Sequence, residues 1–348
     1  MNSVNDILNA IAPPDRAAMA QAQTRLDALV KPPGSLGRLE ALAVQLAGIR
    51  GSGRPLQFPQ KEIVVMAADH GVWQEGITPS PQVVTAIQAG NILRGVAGVN
   101  AMAKIAGAAV TLVDTGIIGG PVPGAVACHQ GEGSGNIARG PAMTREQAEQ
   151  LLLWGANWVA ERVAQGLTVL GVGELGMGNT TPAAAVIAAI TGQPPEQVAG
   201  LGANLPPTQL GHKVAVIEQA LAINRPQAND GLEVLAKVGG FDLVAMSGAM
   251  LGAAAAGIPV VLDGFLSYAS ALAACQIAPA VWAYLIPSHT SAERGSQIAL
   301  THLRLQPYLD LSLRLGEGSG AALAFNLIDA ACAMHNEMAT LAECNIAL

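Results

Sequence analysis

The segment Arg314–Gly320 contains one carboxyl group, that of Glu317, among three glycines. Glycine adopts positive φ angles readily and lets a ligand approach the main chain closely. A general base that works in a ligand-filled cleft would have these requirements. A solvated turn that leads into the apolar run 321–328 explains the same seven residues equally well. Both interpretations stay open at the level of this segment.

Composition favours a large α/β protein that acts on small molecules. The 348 residues suffice for one large domain or two. Hydrophobic residues make up 51% of the chain but aromatic residues only 3%, which favours closely packed helices on a sheet. The net charge of −7 and the lack of a Lys/Arg cluster argue against nucleic-acid binding. We therefore expect small-molecule or protein partners.

Cysteine spacing and the N-terminus favour a reducing compartment. The four cysteines lie far apart and form no CxxC pair, so they indicate neither a zinc site nor a disulfide framework. We interpret Cys128, Cys275, Cys332 and Cys344 as buried thiols. The first residues are polar or acidic, without the cationic and apolar stretches of a secretory signal. A cytoplasmic location is expected.

Two long runs without Asp, Glu, Lys or Arg, residues 243–262 and 264–292, are long enough to raise the question of a membrane span. Pro259, Pro279 and Pro287 interrupt these runs, as do several serines, and basic residues do not flank them asymmetrically. Buried strand–helix–strand units explain them better.

Six short apolar runs alternate with alanine-rich helical stretches and predict strands. They are Glu62–Ala67, Ala109–Val113, Leu167–Gly171, Asp242–Met246, Pro259–Leu262 and Trp282–Ile286. This alternation predicts an α/β fold with an open, mostly parallel six-stranded sheet flanked by helices. Polar or glycine-rich residues follow the runs, at 69–71, 114–116, 173–176, 247–248, 263–264 and 288–291. Ligands bind outside the carboxyl ends of such strands, so one crevice could collect all six loops.

The two ends of the chain differ from the middle. Helical periodicity covers residues 16–30, residues 31–34 interrupt it, and it resumes from Leu36. The chain is again helical in pattern from Ala321 to its end. We predict a small helical domain made of residues 1–50 with 325–348, and a large α/β domain of residues 51–324.

Three further motifs bear on ligand binding. The run Gly171–Gly176 matches G-x-G-x-x-G, but Glu174 would face a pyrophosphate and no strand with an acidic ribose-binding residue follows. Residues 179–182 predict a helix start suited to one phosphate, and residues 200–207 with Lys213 could supply a second anion-binding loop. Neighbours on a strand such as Asp69 and His70 point to opposite faces, which argues against a catalytic pair, so His70 is predicted to be structural or to make a hydrogen bond in a loop.

Taken together, these segments make the chain similar to the nicotinate-nucleotide–dimethylbenzimidazole phosphoribosyltransferases of cobalamin synthesis. The matching stretches are residues 31–40, 68–72, 171–182, 200–207, 237–243, 262–265 and 314–323. The resemblance implies transfer of phosphoribose from nicotinate mononucleotide to 5,6-dimethylbenzimidazole, which yields α-ribazole 5′-phosphate and nicotinate. It also implies a homodimer, with a Rossmann-like large domain and a small helical domain built from both termini.

The resemblance also implies roles for individual residues. Glu317 would be the general base that takes the benzimidazole N–H proton while the other ring nitrogen attacks C1′ of the ribose. The benzimidazole ring would lie against Ser80, Gln88, Met177 and Leu315. The ribose and phosphate would lie against Glu174, Gly176, Thr180, Gly202, Lys213, Asp263 and Ser291.

No cofactor or metal is expected, because nicotinate mononucleotide carries no pyrophosphate and the sequence has no Asp-Asp pair or His/Cys cluster. Two other functions stay open. One is a nicotinamide-dependent oxidoreductase that uses Gly171–Gly176, and the other is a non-catalytic nucleotide or base sensor on the same fold.

Overall fold

A sheet of six parallel strands forms the centre of the computed structural model, which describes residues 1–346. The strands are β1 (Lys61–Ala68), β2 (Ala108–Gly116), β3 (Val126–Ala127), β4 (Val169–Leu175), β5 (Val260–Leu262) and β6 (Leu285–Pro287). Their order is β3-β2-β1-β4-β5-β6, and every neighbouring pair is parallel. The predicted α/β class is confirmed. The order reverses between β1 and β4, where open sheets of this kind bind ligands.

Fourteen α-helices surround the sheet within the described residues. They are α1 (Val4–Ala10), α2 (Arg16–Ala28), α3 (Arg38–Arg50), α4 (Val84–Leu93), α5 (Gly98–Ala106), α6 (Arg145–Ala164), α7 (Thr180–Thr191), α8 (Pro195–Val198), α9 (Leu210–Asn224), α10 (Gly231–Val238), α11 (Phe241–Ala255), α12 (Phe265–Ile277), α13 (Ser296–Leu303) and α14 (Ser319–Glu337). Short 3₁₀ helices cover Gly71–Glu75, Pro207–Gln209 and Pro279–Tyr284.

Both faces of the sheet are covered by helices. Successive residues of β1 point to opposite faces, so Ile63 and Val65 pack with α2, α3, α5 and α14, whereas Val64 and Met66 pack with α6, α7, α11 and α12. All four side chains are fully buried. Burial on both faces explains why β1 is a continuous apolar run in the sequence.

One predicted strand is wrong. Asp242–Met246 lies in α11, which is buried along nearly its whole length. A helix buried on all sides has no polar face, so its hydrophobic period cannot be told from that of a buried strand. Ser247 and Gly248 therefore lie inside α11 and not beyond a strand. The sixth strand is instead β3, which has only two residues at the edge of the sheet.

The helices near the two ends of the chain pack together in part. A backbone bridge joins Leu29 to Thr340, and the Arg25 Nε donates to the His335 carbonyl oxygen at 2.5 Å. Helices α2, α3 and α14 are in mutual contact, whereas α1 packs against α6 and α11 on the other face. α14 starts at Ser319, so the predicted boundary at 325 falls within one helix. The division into two domains stays a prediction.

The cysteines are free in the described residues, but they are not all buried. Cys128 and Cys332 are buried, Cys275 is half-buried and Cys344 is exposed. The interpretation of four buried thiols is wrong for Cys344, because that residue follows the last helix. No helix within residues 1–346 has the length and apolar character needed to cross a membrane.

Candidate active site

A cavity of about 460 Å³ opens at the carboxyl ends of β4, β5 and β6. This volume lies in the usual range for small-molecule sites. Its walls come from residues within the segments 77–88, 173–180, 201–204, 263–267, 289–293 and 314–317. The predicted convergence of strand-end loops is therefore seen for β4, β5 and β6. Residues 69–71, directly after β1, and residues 114–116, which are the last three of β2, do not line the cavity.

The predicted site residues come together here with one exception. The cavity is lined by Ser80, Gln88, Glu174, Gly176, Met177, Thr180, Gly202, Asp263, Ser291, Leu315 and Glu317. Lys213 lies beneath the surface, fully buried, and its Nζ donates to the Thr180 Oγ1 at 2.8 Å and to the Gly200 carbonyl oxygen at 3.0 Å. The individual roles of these residues stay predictions.

The backbone around Glu317 is unusual. Glu317 has φ of +63°, between Gly316 at +84° and Gly318 at +85°. A non-glycine residue in the left-handed region costs of order 1–3 kcal/mol and persists only where its surroundings hold it. The residue is only 5% exposed. A solvated turn is thus excluded as the interpretation of this segment.

Asp263 holds the start of α14, immediately beyond the Glu317 residue. Its Oδ2 accepts the Gly318 N–H at 3.0 Å, and its Oδ1 accepts the Gly320 N–H at 2.6 Å. These are N–H groups at the N-terminus of a helix, where a carboxylate is favourable. The Glu317 N–H in turn donates to the Glu174 carbonyl oxygen at 3.2 Å. Asp263 therefore positions the loop, whatever contact it also makes with a ligand.

The glycines of β4 leave room for the loop that carries Glu317. A Cβ on Gly173 would lie 2.3 Å from the Gly318 nitrogen and 2.5 Å from the Glu317 carbonyl carbon. A Cβ on Gly171 would lie 3.0 Å from Cζ of Phe325 in α14. The G-x-G-x-x-G motif runs through the strand and not through a strand-to-helix turn, so it lacks the structural context of a dinucleotide site.

Burial dominates the ionisation of the carboxyl groups in the cavity. It raises the pKa of Glu317, which the hydrogen bond from Gln88 lowers in part and the charge of Asp263 raises further. Burial also raises the pKa of Glu174 well above its ordinary value, and the nearby charges of Asp242 and Asp263 add to this. The rise brings the pKa of Glu317 closer to neutral pH, which is where a general base works best.

The two carboxylate oxygens of Glu317 differ in their surroundings. Oε1 accepts a hydrogen bond from the Gln88 Nε2 at 2.6 Å. Oε2 is buried and has no hydrogen-bond partner within the described part of the chain. A buried oxygen without a partner is uncommon in proteins. Oε1 is thus held by Gln88, and Oε2 is the oxygen of Glu317 that a ligand would have to reach by a small movement of the side chain.

Sequence reasoning missed His289 and Arg314 as lining residues. His289 follows β6, and the Ser288 Oγ lies 3.0 Å from its Nδ1. Burial lowers the pKa of His289 more than Asp263 raises it, which favours the neutral imidazole. Arg314 lies at the rim, where its Nη1 donates to the Asn204 Oδ1 at 3.0 Å. The signals that could have indicated them are a polar residue directly after a strand and a cation beside Glu317.

His70 lies behind the cavity and does not line it, and its structural role stays a prediction. Its Nε2 is 3.3 Å from Oδ2 of Asp242, and both side chains are buried. Burial lowers the pKa of His70, but the charge and hydrogen bonding of Asp242, together with Asp69, outweigh it and the net change is upward. A Cβ on Gly176 would lie 2.9 Å from this imidazole. The His70–Asp242 pair therefore packs against the loop that follows β4, on the side away from the cavity.

The other end of the cavity combines a helix N-terminus with a buried cation. α7 starts at Thr180, as predicted, but the Asn179 side chain donates to the Glu174 Oε2 and does not cap the helix. The loop that contains Gly202 lies directly over Thr180. Burial lowers the pKa of Lys213 to about 8, partly offset by Glu293. The Thr181 and Ala183 N–H groups already donate to carbonyl oxygens and Pro182 has none, so it is the positive end of the helix and the nearby ammonium group that favour an anion such as a phosphate.

Comparisons with known proteins agree with this geometry. A family model described as phosphoribosyltransferase matches residues 11–346. A nicotinate-nucleotide–dimethylbenzimidazole phosphoribosyltransferase of Yersinia enterocolitica is 61% identical over 348 residues, which are 100% of this chain and 99% of the relative. The enzyme of the same name from Photorhabdus laumondii is 60% identical over 349 residues, with the same coverage.

A solved structure extends the similarity to three dimensions. The crystal structure of the nicotinate-nucleotide–dimethylbenzimidazole phosphoribosyltransferase from Thermus thermophilus superposes with a TM-score of 0.90 at 42% identity. The match covers 96% of this chain and 99% of the Thermus chain. The similarity therefore spans the sheet, both helical layers and the segments that form the cavity.

Proposed function

Because the chain belongs to the nicotinate-nucleotide–dimethylbenzimidazole phosphoribosyltransferase family, we propose that its cavity is the active site for that reaction. The enzyme transfers phosphoribose from nicotinate mononucleotide to 5,6-dimethylbenzimidazole, in the nucleotide-loop branch of cobalamin synthesis. The products are α-ribazole 5′-phosphate and nicotinate. The observation that carries the assignment of the site is the buried Glu317, whose Oε2 lacks a protein partner in the described residues.

The proton transfer is assigned to Glu317. One nitrogen of the benzimidazole attacks C1′ of the ribose, and the other loses its proton to the carboxylate. A positioned general base contributes about 10²–10⁴-fold, which is roughly 3–5 kcal/mol of the barrier. Burial supports this role because it raises the pKa of Glu317 and so strengthens it as a base.

The benzimidazole and the leaving nicotinate occupy opposite sides of C1′ in this proposal. Attack on the face opposite nicotinate inverts the β configuration to α, as the α-ribazole product requires. Ser80, Gln88, Met177 and Leu315 would hold the benzimidazole, because they line the cavity on the side of α4 and of the Glu317 segment. The polar pair would orient the ring and the apolar pair would pack on it.

The phosphoribose is placed at the other end of the cavity. The start of α7 at Thr180 and the loop at Gly202, with Lys213 beneath them, supply N–H groups and positive charge for the phosphate. The neutral form of Glu174, favoured by its raised pKa, limits repulsion between the site and its anionic substrate. Gly176, Asp263 and Ser291 complete the proposed contacts with the sugar.

Assembly and location follow the same resemblance. We propose a homodimer in the cytoplasm, with two small-molecule substrates and without nucleic-acid or membrane partners. Size-exclusion chromatography with light scattering would give the mass of the assembly, and a monomer at working concentration would contradict the dimer.

Product analysis tests the proposed reaction. Incubation of the protein with nicotinate mononucleotide and 5,6-dimethylbenzimidazole should yield nicotinate and α-ribazole 5′-phosphate in equal amounts, measured by chromatography. Binding of either substrate without turnover would instead indicate a sensor. Hydride transfer with a nicotinamide dinucleotide would indicate an oxidoreductase.

Turnover is expected to need no metal ion. The phosphate contacts proposed above consist of backbone N–H groups, the positive end of a helix and an ammonium group, and nicotinate mononucleotide has no pyrophosphate to bridge. The rate should therefore be unchanged after exhaustive treatment with a chelator and dialysis. A loss of activity that added Mg²⁺ restores, while Na⁺ at equal ionic strength does not, would overturn this prediction.

A further inference from the structure

Three polar side chains on α4 and at its end form a chain of hydrogen bonds that reaches Glu317. Gln88, Asn91 and Arg94 are three residues apart, a spacing that places them on one face of a helix. Arg94 Nη2 donates to Asn91 Oδ1, and Asn91 Nδ2 donates to Gln88 Oε1 at 2.8 Å. Gln88 Nε2 then donates to Glu317 Oε1 at 2.6 Å. The chain thus joins an exposed cation to the buried carboxylate.

The arginine fixes the direction of every bond in this chain. A guanidinium group can only donate hydrogen bonds, so the Asn91 amide must turn its oxygen toward Arg94. The Asn91 NH₂ group then faces Gln88 and can only meet its oxygen. The NH₂ group of Gln88 is thereby directed at Glu317. A reversed Gln88 amide would bring its oxygen against the carboxylate, which is unfavourable when Glu317 is ionised.

We propose that Asn91 and Arg94 are positioning residues for the transferase reaction, because they orient the Gln88 amide to donate to Glu317. This inference rests on the proposed role of Glu317 as the base. The donated bond occupies Oε1, fixes the rotation of the carboxylate and favours its ionised form. Gln88 therefore orients the carboxylate of Glu317 and also forms part of the cavity wall that is proposed to contact the benzimidazole.

Other groups also act on the ionisation of Glu317, and they come from every element packed around it. Asp263 after β5 raises its pKa, and the Val99 N–H at the start of α5 lowers it. Glu174 of β4 is electrostatically coupled to it. His289 after β6 acts through its neighbour Asp263, and Arg314 lies three residues before Glu317. None of these residues belongs to the chain of hydrogen bonds on α4, so substitutions at Asn91 or Arg94 do not remove any of them.

The variant Asn91→Asp tests the direction of the chain. An aspartate has nearly the shape of asparagine but can only accept, so Gln88 must turn its NH₂ group toward residue 91 and its oxygen toward Glu317. The ionised form of Glu317 is then disfavoured and its pKa rises. A base acts when ionised, so the acid limb of the kcat–pH profile should move to higher pH by roughly one unit. KM for nicotinate mononucleotide should change little.

Two controls separate orientation from charge. A shift due to the added negative charge should remain when Gln88 is replaced, whereas a shift due to the reversed Gln88 amide should be lost. In a Gln88→Leu background, Asn91→Asp should cause no further shift, because the chain is already broken. Asn91→Leu, which removes donor and acceptor together, should shift the limb less than Asn91→Asp.

Arg94→Met is an independent variant, at an exposed position that is tolerant of substitution. It removes the donor that fixes the direction, so we expect a shift of the same sign as that of Asn91→Asp but smaller. An acid limb that stays in place in both variants would overturn the proposal. So would a shift that persists unchanged in the Gln88→Leu background.

A titration without turnover separates this proposal from the proposed function. The carboxyl infrared band that is lost in Glu317→Gln reports the pKa of Glu317 in the free protein. That pKa should rise in Asn91→Asp. If it rises while the kcat–pH profile does not move, Glu317 is not the base and the proposed function of the residue fails. If it does not rise, the α4 chain does not control Glu317 and the positioning role fails.

Discussion

Replacement of Glu317 by glutamine should lower kcat by about 10²–10⁴-fold with both substrates saturating. The amide has nearly the same shape as the carboxylate but cannot accept the benzimidazole proton. The KM values should change far less than kcat, because the walls of the cavity stay in place. The acid limb of the kcat–pH profile should also be lost, since the raised pKa of Glu317 is assigned as its source.

A matched control lies within the same chain. Residues 131–135 repeat the pentapeptide Gly-Glu-Gly-Ser-Gly of residues 316–320. Glu132 is exposed, does not line the cavity, and its Oε2 accepts the Gly119 N–H at 2.6 Å. Glu132→Gln should retain the wild-type kcat. If Glu317→Gln also keeps its turnover within a few-fold, the assignment of the base is wrong.

Replacement of Gly173 by alanine should impair both stability and turnover. The added Cβ would lie 2.3 Å from the Gly318 nitrogen and 2.7 Å from the Glu317 carbonyl oxygen, so the loop must move away from β4. Overpacking of a well-packed interior typically costs about 1–3 kcal/mol of unfolding free energy. Displacement of a catalytic group by about 1 Å can lower its rate contribution about 100-fold. Denaturant unfolding and kcat measure the two effects.

The control for this variant is Gly211→Ala in α9. Gly211 is exposed, and a Cβ there would meet no atom within 4 Å. Alanine favours a helix over glycine, so stability should be unchanged or slightly higher and kcat should be unchanged. Wild-type stability and wild-type kcat in Gly173→Ala would contradict the close approach of the loop to the strand.

The sequence predicted the sheet wherever burial leaves a distinctive pattern. β1, β2 and β5 appear as short apolar runs with clear ends, and the polar residues after β4, β5 and β6 indicated where a ligand would bind. The pattern failed at Asp242–Met246, because a fully buried helix has the same composition as a buried strand. It also could not indicate β3, whose two residues are too few to carry a period.

Which residues would meet in the cavity came from the family resemblance, and how they meet came from the structure. The resemblance implied that Gln88 contacts the benzimidazole, but only the fold shows that it donates to Glu317. Asp263 was expected to hold the sugar, yet both of its oxygens accept N–H groups from the start of α14. Such contacts join residues far apart in the chain, and spacing along the sequence carries no record of them.

The repeated pentapeptide shows what each level decided. The sequence by itself determined that a carboxyl group is framed by glycines, and it did so twice, at Glu132 and at Glu317. The tertiary structure made only the second a buried group, with a positive φ, against Gly173 on one side and Gln88 on the other. Burial and hydrogen bonding set the pKa of a carboxyl group, and both depend on neighbours that only the fold brings together.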